Sequence, residues 1–182
     1  MKKRISITGI MTALLLAAAV SAQGRIEIEP QLVFRSFGGE QVKSAKNDFS
    51  AGASVAYGFS WGDRIFSFGP EIHFLTVSNE SADIRVWRGG ILAGLTFSPL
   101  FSGTGAPRPV IRIHAGSGQG KFEKSGVPNQ SETLFYAGFS AGFSHEVTSW
   151  LSLKMLYGIT ADQFKSGMVY ESHFALALGF NL

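Results

Sequence analysis

Eight stretches of this 182-residue chain alternate between two kinds of side chain with a period of two, and they dominate the sequence after residue 24. The clearest is "FSAGASVAYGFSW". Every second residue gives Phe49, Ala51, Ala53, Val55, Tyr57, Phe59 and Trp61, with Ser50, Gly52, Ser54, Ala56, Gly58 and Ser60 between them. Strict alternation over such a length is the pattern of a strand, because successive side chains of a strand point to opposite faces. A soluble sheet turns its non-core face to water and dresses it with Lys, Glu or Thr. Here one face is apolar and aromatic and the other is merely small, so neither is built for water. The pattern suits a sheet whose aromatic face meets lipid and whose small face lines a narrow interior.

The other seven stretches repeat the theme. Residues 25–37 set Ile26, Ile28, Leu32 and Phe34 against Glu27, Glu29, Gln31 and Arg35. Residues 65–78 set Phe66, Phe68, Ile72 and Phe74 against Ser67, Gly69, Glu71 and His73, and residues 84–97 set Trp87, Ile91, Ala93, Leu95 and Phe97 against Arg88, Gly90, Gly94 and Thr96. The weakest is 109–118, where Ile111 and Ile113 face away from Arg112, His114 and Gly116. In 133–146, Phe135, Phe139 and Phe143 alternate with Tyr136, Gly138 and Ser140; in 150–162, Leu151, Leu153, Met155, Tyr157 and Ile159 oppose Ser152, Lys154, Gly158 and Thr160. The last, 170–182, places Phe174, Leu176, Leu178, Phe180 and Leu182 opposite Glu171, His173, Ala175 and Gly179.

Charged residues make up only 16% of the chain, against about 25% in an ordinary soluble domain. After residue 24 no apolar run approaches the ~20 residues of a membrane-crossing helix. Inside a membrane every backbone N–H and C=O must find a partner within the protein, so a chain without such helices can cross only as a closed barrel. The expected fold is therefore all-β: an eight-stranded antiparallel up-and-down transmembrane β-barrel.

The first residues, "MKKRISITGIMTALLLAAAVSAQG", have the basic start, apolar centre and small-residue end of a secretory signal peptide. Cleavage after Ala22 divides the chain into a leader, 1–22, and a barrel domain, 23–182. Three of the sixteen Lys and Arg lie in the leader, leaving thirteen against thirteen Asp and Glu, so the exported part is formally neutral. A basic nucleic-acid-binding surface is not supported. With no Cys, disulfide and thiol chemistry are excluded.

Connections alternate in length. "GGEQVKSAKND", "NESAD", "QGKFEKSGVPNQSE" and "QFKSGM" fall on one rim, while "WGDR" and "EVTSW" fall on the other. Long extracellular loops and short periplasmic turns are the habit of bacterial outer-membrane barrels; the proline-containing "SPLFSGTGAPR" is the exception on the short side. Trp61, Trp87, Trp150, Tyr157 and Tyr170 are candidates for interfacial girdles. The chain ends "HFALALGFNL", an alternating apolar strand closing on Phe180 and Leu182. This resembles the closing strand of outer-membrane β-barrel proteins, and the whole of 23–182 is similar in pattern and size to the small barrels typified by the OmpA membrane domain and OmpX. That resemblance implies residence in the bacterial outer membrane, contact with its lipid, and delivery by the barrel assembly machinery through the C-terminal strand.

On the inward face the alternation places Glu27, Glu29, Arg35, Glu71, Arg88, Arg112, Glu146, Lys154, Asp162 and Glu171, with His73, His114 and His173. Both signs in a narrow lumen predict a paired network, since an unpaired buried charge is costly. Its expected members are Glu71, Arg88, Arg112, His73, His114, Lys154, Glu171 and His173, with Glu71, Arg88 and Arg112 near mid-depth and a structural role. Glu27 and Glu29 fall near a strand end and read as a solvated pair, and His145 falls on the lipid face beside a turn. The His spacing matches no metal motif. "HAGSGQGKF" has Ala115 and Phe122 where a phosphate-binding loop needs Gly and Ser or Thr. No catalytic nucleophile, metal or cofactor is assigned, and the chain is not expected to be an enzyme. The expected role is structural or interactive: a plugged polar lumen and extracellular loops, especially 117–132, presented to a ligand. Two alternatives are a narrow pore for ions or small solutes and a soluble exported binder of lipocalin type with its aromatics inside.

Overall fold

A computed structural model describes residues 24–38, 48–78, 83–102, 105–123, 130–165 and 167–182. The leader and its cleavage after Ala22 lie outside the described residues, as do residues 124–129 and the side chains of Phe49 and Trp61. The strands are β1 (Arg25–Gly38), β2 (Asp48–Trp61), β3 (Arg64–Ser78), β4 (Asp83–Thr96), β5 (Arg108–Glu123), β6 (Gln130–Thr148), β7 (Leu151–Phe164) and β8 (Gly167–Asn181). Each runs antiparallel to the next, and β8 pairs with β1 to close the barrel. Closure gives every strand a neighbour on both sides, which is how a sheet avoids an open edge. Among these pairings the ladder skips where proline removes an N–H: the β1–β8 register has no rung at Glu29 and Pro30, and the β2–β3 register has none at Gly69 and Pro70.

At what we call the turn rim, Gly62 and Asp63 join β2 to β3, with Gly62 at φ +60°. Glycine at the first central position is what a two-residue type II′ hairpin favours. The long stretch after β4 is pinned in place: Phe97 N–H donates to Pro109 O (2.8 Å), Leu100 N–H to Pro107 O (3.1 Å), and Arg108 Nε to Phe97 O (2.9 Å). His145 is exposed at this rim, beside Gly105.

At the opposite, loop rim the strands continue further than the alternation suggests. Residues 117–132, expected as a loop, are mostly ladder, since β5 runs to Glu123 and β6 begins at Gln130. Of "QFKSGM", Gln163 and Phe164 likewise belong to β7, and Gly167 and Met168 to β8. The glycines that make 116–120 look like a flexible end have a packing reason. A Cβ at Gly116 would stand 2.3 Å from Gly89 O and 2.9 Å from the Tyr136 ring, and one at Gly118 would stand 2.1 Å from Trp87 O.

The two faces are sorted as the alternation requires. Phe135 is 67% exposed, Ile113 61% and Tyr157 60%, whereas Glu29 is 1% exposed and Arg88 2%. This is the reverse of a lipocalin-type barrel, whose aromatics line the inside, so that alternative is overturned. On β8 the outward face from Tyr170 to Phe180, apolar except for Ser172, at about 3.4 Å per residue and a tilt of about 40°, spans roughly 26 Å, close to the ~25 Å apolar band of an outer-membrane barrel. Trp150 stacks on Phe180 at the turn rim, ring centroids 6.4 Å apart. Trp87 and Tyr170 lie toward the loop rim, but Tyr157 sits halfway along β7, opposite Phe174, and so is not a girdle residue.

An arginine replacing Ile113 in the middle of the outer band is expected to destabilise the folded barrel by about 2–4 kcal/mol, and one replacing Gln119 near the loop rim by at most about 1 kcal/mol. Denaturant unfolding of each variant in lipid vesicles measures both.

Candidate functional site

Buried charged side chains gather in the barrel interior, and their geometry follows from the pleat. On the inward face of one strand a long polar or charged side chain sits level with glycine or a small residue on the next. Gly52 partners His73, Gly118 partners Arg88, Gly94 partners Arg112, Gly138 partners His114 and Gly158 partners His173. The space is needed: a Cβ at Gly138 would meet His114 Nε2 at 1.9 Å, and one at Gly52 would meet His73 Nδ1 at 2.3 Å.

Toward the turn rim lies a cluster of two acids and two bases. Lys154 Nζ donates to Glu27 Oε2 (2.6 Å) and Glu29 Oε2 (2.5 Å). Arg112 grips Glu29 with both Nη atoms, Nη2 to Oε2 at 2.6 Å. Gln31 Nε2 and Ser152 Oγ complete the shell, donating to Glu29 Oε1 (3.1 Å) and Glu27 Oε1 (3.2 Å). Paired bidentate contacts of this kind are the strong form of a charge-assisted hydrogen bond. Glu27 and Glu29, read from sequence as solvated, are both buried, because cations from β5 and β7 reach across the lumen to them.

Toward the loop rim a second cluster mirrors the first. Arg88 donates from Nη1 to Glu171 Oε1 (2.8 Å) and from Nη2 to Glu171 Oε2 (2.9 Å), and also binds Asp162. Arg35 binds the same Glu171 and donates from Nε to Ser50 Oγ (2.6 Å). Each cluster therefore holds two cations and two carboxylates.

Between them stands Glu71, with no guanidinium or ammonium paired to it among the described contacts. Tyr136 donates its hydroxyl to Glu71 Oε1 at 3.0 Å. His73 Nε2 lies 3.2 Å from Oε2, without hydrogen-bond alignment, and His114 Nδ1 lies 3.8 Å from Oε1. His114 Nε2 is hydrogen-bonded to Thr160 Oγ1 at 3.0 Å, and its ring packs near those of His73 and His173, centroids 6.4 and 6.0 Å away. No three His, Asp or Glu among the described residues are spaced to hold a metal ion.

All eight residues expected in the network point inward, but they divide among three groups. Arg88 and Glu171 belong to the upper cluster, Arg112 and Lys154 to the lower, and Glu71 with His73, His114 and His173 to the middle. Glu71, Arg88 and Arg112 form no mutual pair. Glu146, assigned inward, is instead exposed at the turn rim, within 3.7 Å of Arg25 and Arg108, where the β6–β7 register shifts. Two features escaped the sequence. The Tyr136 hydroxyl was hidden by the apolar look of its ring, although an aromatic amid inward Gly and Ser is a signal. Above the ionic clusters the lumen also turns apolar: Leu75, Val86, Leu134, Phe164 and Val169 pack with Tyr136 into a buried cluster touched by Phe37. The lumen is thus apolar at its top, and a second buried apolar group, Val33, Val110, Leu156 and Ala175, lies lower down among the polar side chains. The cavity left at the waist, lined by Glu71, His73, His114, Tyr136 and Arg88 among others, is only about 20 Å³, room for about one water molecule.

Replacing Arg88 by Met strands Asp162 and leaves Glu171 with Arg35 alone, and should cost about 3–5 kcal/mol, as removal of one partner of a buried pair does. Adding Asp162→Asn, whose described side-chain hydrogen bond is to Arg88, should recover part of that loss. Unfolding of the two variants in vesicles gives the comparison.

Three solved structures share this architecture. The chain aligns with Neisserial surface protein A (NspA) at a TM-score of 0.62 and 12% identity, over 85% of this chain and 96% of that one. It aligns with Ail, the attachment invasion locus protein of Yersinia pestis, at 0.53 and 16%, over 87% and 97%. A major outer membrane protein from Thermus thermophilus aligns at 0.53 and 10%, over 88% and 100%. No protein-family model and no curated protein matches the sequence. The fold is that of the small eight-stranded outer-membrane β-barrels.

Proposed function

We propose that this chain is an exported, non-enzymatic protein of the bacterial outer membrane, whose barrel is a sealed anchor and whose loop rim meets an extracellular partner. The observation that carries the proposal is the inverted sorting of side chains: an apolar outer band of bilayer height around a lumen filled by paired charges. Displaying the Phe, Ile and Tyr side chains of that band to water would be unfavourable, whereas lipid accepts them. The sealing favours an anchor over the narrow pore, since among the described residues paired side chains and the apolar cluster fill the lumen around a small cavity at the waist. In this scheme the leader 1–22 directs export, β8 with its terminal Phe180 and Leu182 is read by the barrel assembly machinery, and the strand extensions beyond Trp87 and Tyr170 lift the loop rim clear of the lipid. Ail is named for attachment and invasion, and an interactive use of the loop rim is proposed here by analogy of fold, which by itself leaves the partner open.

The expected result of fractionation is recovery in the outer membrane, with a band on unheated gels that shifts on boiling; release into the periplasm without detergent would overturn the assignment. In planar bilayers the purified protein should give no steady conductance. Stable channels that vanish on substitution of Arg88 or Arg112 would establish the pore instead.

A further inference from the structure

Between the two rims the described outward-facing side chains of the strands are uncharged except at one level, where Arg85 on β4 and Lys121 on β5 are direct register partners. Both are exposed. We propose that Arg85 and Lys121, with the groove beside them, bind a lipid bearing an anionic phosphate headgroup, the phosphate on the two cations and an acyl chain along the groove. The inference rests on the membrane assignment above.

Depth is read along each strand, because rows of register partners slope with the strand tilt: Trp87 lies two residues deeper than Arg85 on β4, and Gln119 two residues deeper than Lys121 on β5. Thr76, Arg85, Lys121 and Ser131 are successive register partners across β3 to β6, and the row two residues deeper runs Phe74, Trp87, Gln119 and Thr133. The outer face thus changes from apolar to polar at Trp87, the residue type that marks the headgroup boundary. The two cations stand just above that boundary, at the height of lipid phosphates. Like charges directly opposite each other on neighbouring strands repel, and an anion between them removes the repulsion. Arginine offers five N–H donors in a planar fork suited to phosphate, so the contact Arg85 already makes within the protein does not exhaust it.

The groove supplies the second half of the site. It holds about 550 Å³ and runs from the cations past Trp87 and Phe74 to Ala51 and Leu32. Leu32, Ala51 and Phe74 are register partners in one row, so the groove exists because the middle of the three is alanine. Leu32, Ala51, Phe74 and Trp87 give the groove an apolar lining suited to an acyl chain, which points to a lipid rather than to dissolved phosphate.

The test folds the protein into vesicles of dioleoylphosphatidylcholine containing dioleoylphosphatidylglycerol, checks the heat-modifiable band, and counts co-purifying lipid by native mass spectrometry. Wild type should retain phosphatidylglycerol in preference to phosphatidylcholine. The double variant R85Q/K121Q should lose that preference by about thirtyfold, the product of about fivefold for each cation near an anionic surface. Ala51→Leu, which fills the groove and keeps both cations, should also reduce retention, and glycerol 3-phosphate should not compete. A folded wild type without preference, or one whose bound lipid is displaced by glycerol 3-phosphate, overturns the proposal. A wild type that fails to fold into vesicles overturns the membrane assignment instead.

Discussion

The width of an eight-stranded barrel is fixed by its strand number, and it leaves space for side chains and little else. Everything inside this protein follows from that limit. A guanidinium or imidazole can cross such a lumen only if the strand beside it yields its own Cβ, and the register shows this being done row by row. Glu71, Gly90, Gly116 and Tyr136 are successive partners across β3 to β6, so the tyrosine ring lies over two glycines and delivers its hydroxyl to a carboxylate three strands away. An aromatic covering neighbouring glycines in this way also restores packing that glycine removes from a sheet. Ionic pairing and glycine placement are therefore one constraint expressed twice, and substituting a glycine would disturb an ion pair as surely as substituting its arginine.

Such a lumen is tolerable because charge is balanced locally rather than merely in total. Arg112 and Lys154 answer Glu27 and Glu29; Arg35 and Arg88 answer Asp162 and Glu171. Desolvating each of these groups is expensive, and pairing with hydrogen bonds on nearly every oxygen is what offsets it. Glu71 is the exception. Hydrogen-bonded by a phenol and flanked by two imidazoles, it occupies the waist between two neutral clusters and next to the small cavity.

Much of this was legible in the residues themselves. Period-two alternation located all eight strands and, Glu146 at the turn rim apart, the facing of their charged residues, because the two faces meet such different surroundings; an error of one residue would have put Arg88 or Arg112 into lipid. Strand ends were less legible. Gly116, Gly118 and Gly120 carry no side chain to alternate, so β5 appeared to stop early although its ladder continues. Partner choice was hidden for another reason. Alternation tells which side of the sheet a residue faces but not how far a flexible Lys or Arg reaches across the lumen, so Glu27 and Glu29 looked like solvated neighbours instead of the acceptors of Arg112 and Lys154. The apolar cluster of Leu75, Val86, Leu134, Phe164 and Val169 was missed because an inward apolar residue near a strand end breaks the sorting on which the assignment depended.

The first strand has a particular place in this arrangement. Glu27, Glu29, Gln31 and Arg35 all lie on β1, and their partners come from β2, β5, β7 and β8, with Arg35 reaching a residue 136 positions away. None of those distant partners is available while the sheet is still open, so β1 must carry its charges unanswered until the ring is nearly complete. Partly assembled forms gain little, and the benefit arrives in a single late step when β8 meets β1. Run backwards, the same coupling means the seam cannot be peeled one strand at a time: loosening β1 dissolves the lower cluster and half of the upper one together. The protein's durability in its membrane would then be a matter of time, set by how rarely the seam parts, more than of the depth of its energy minimum.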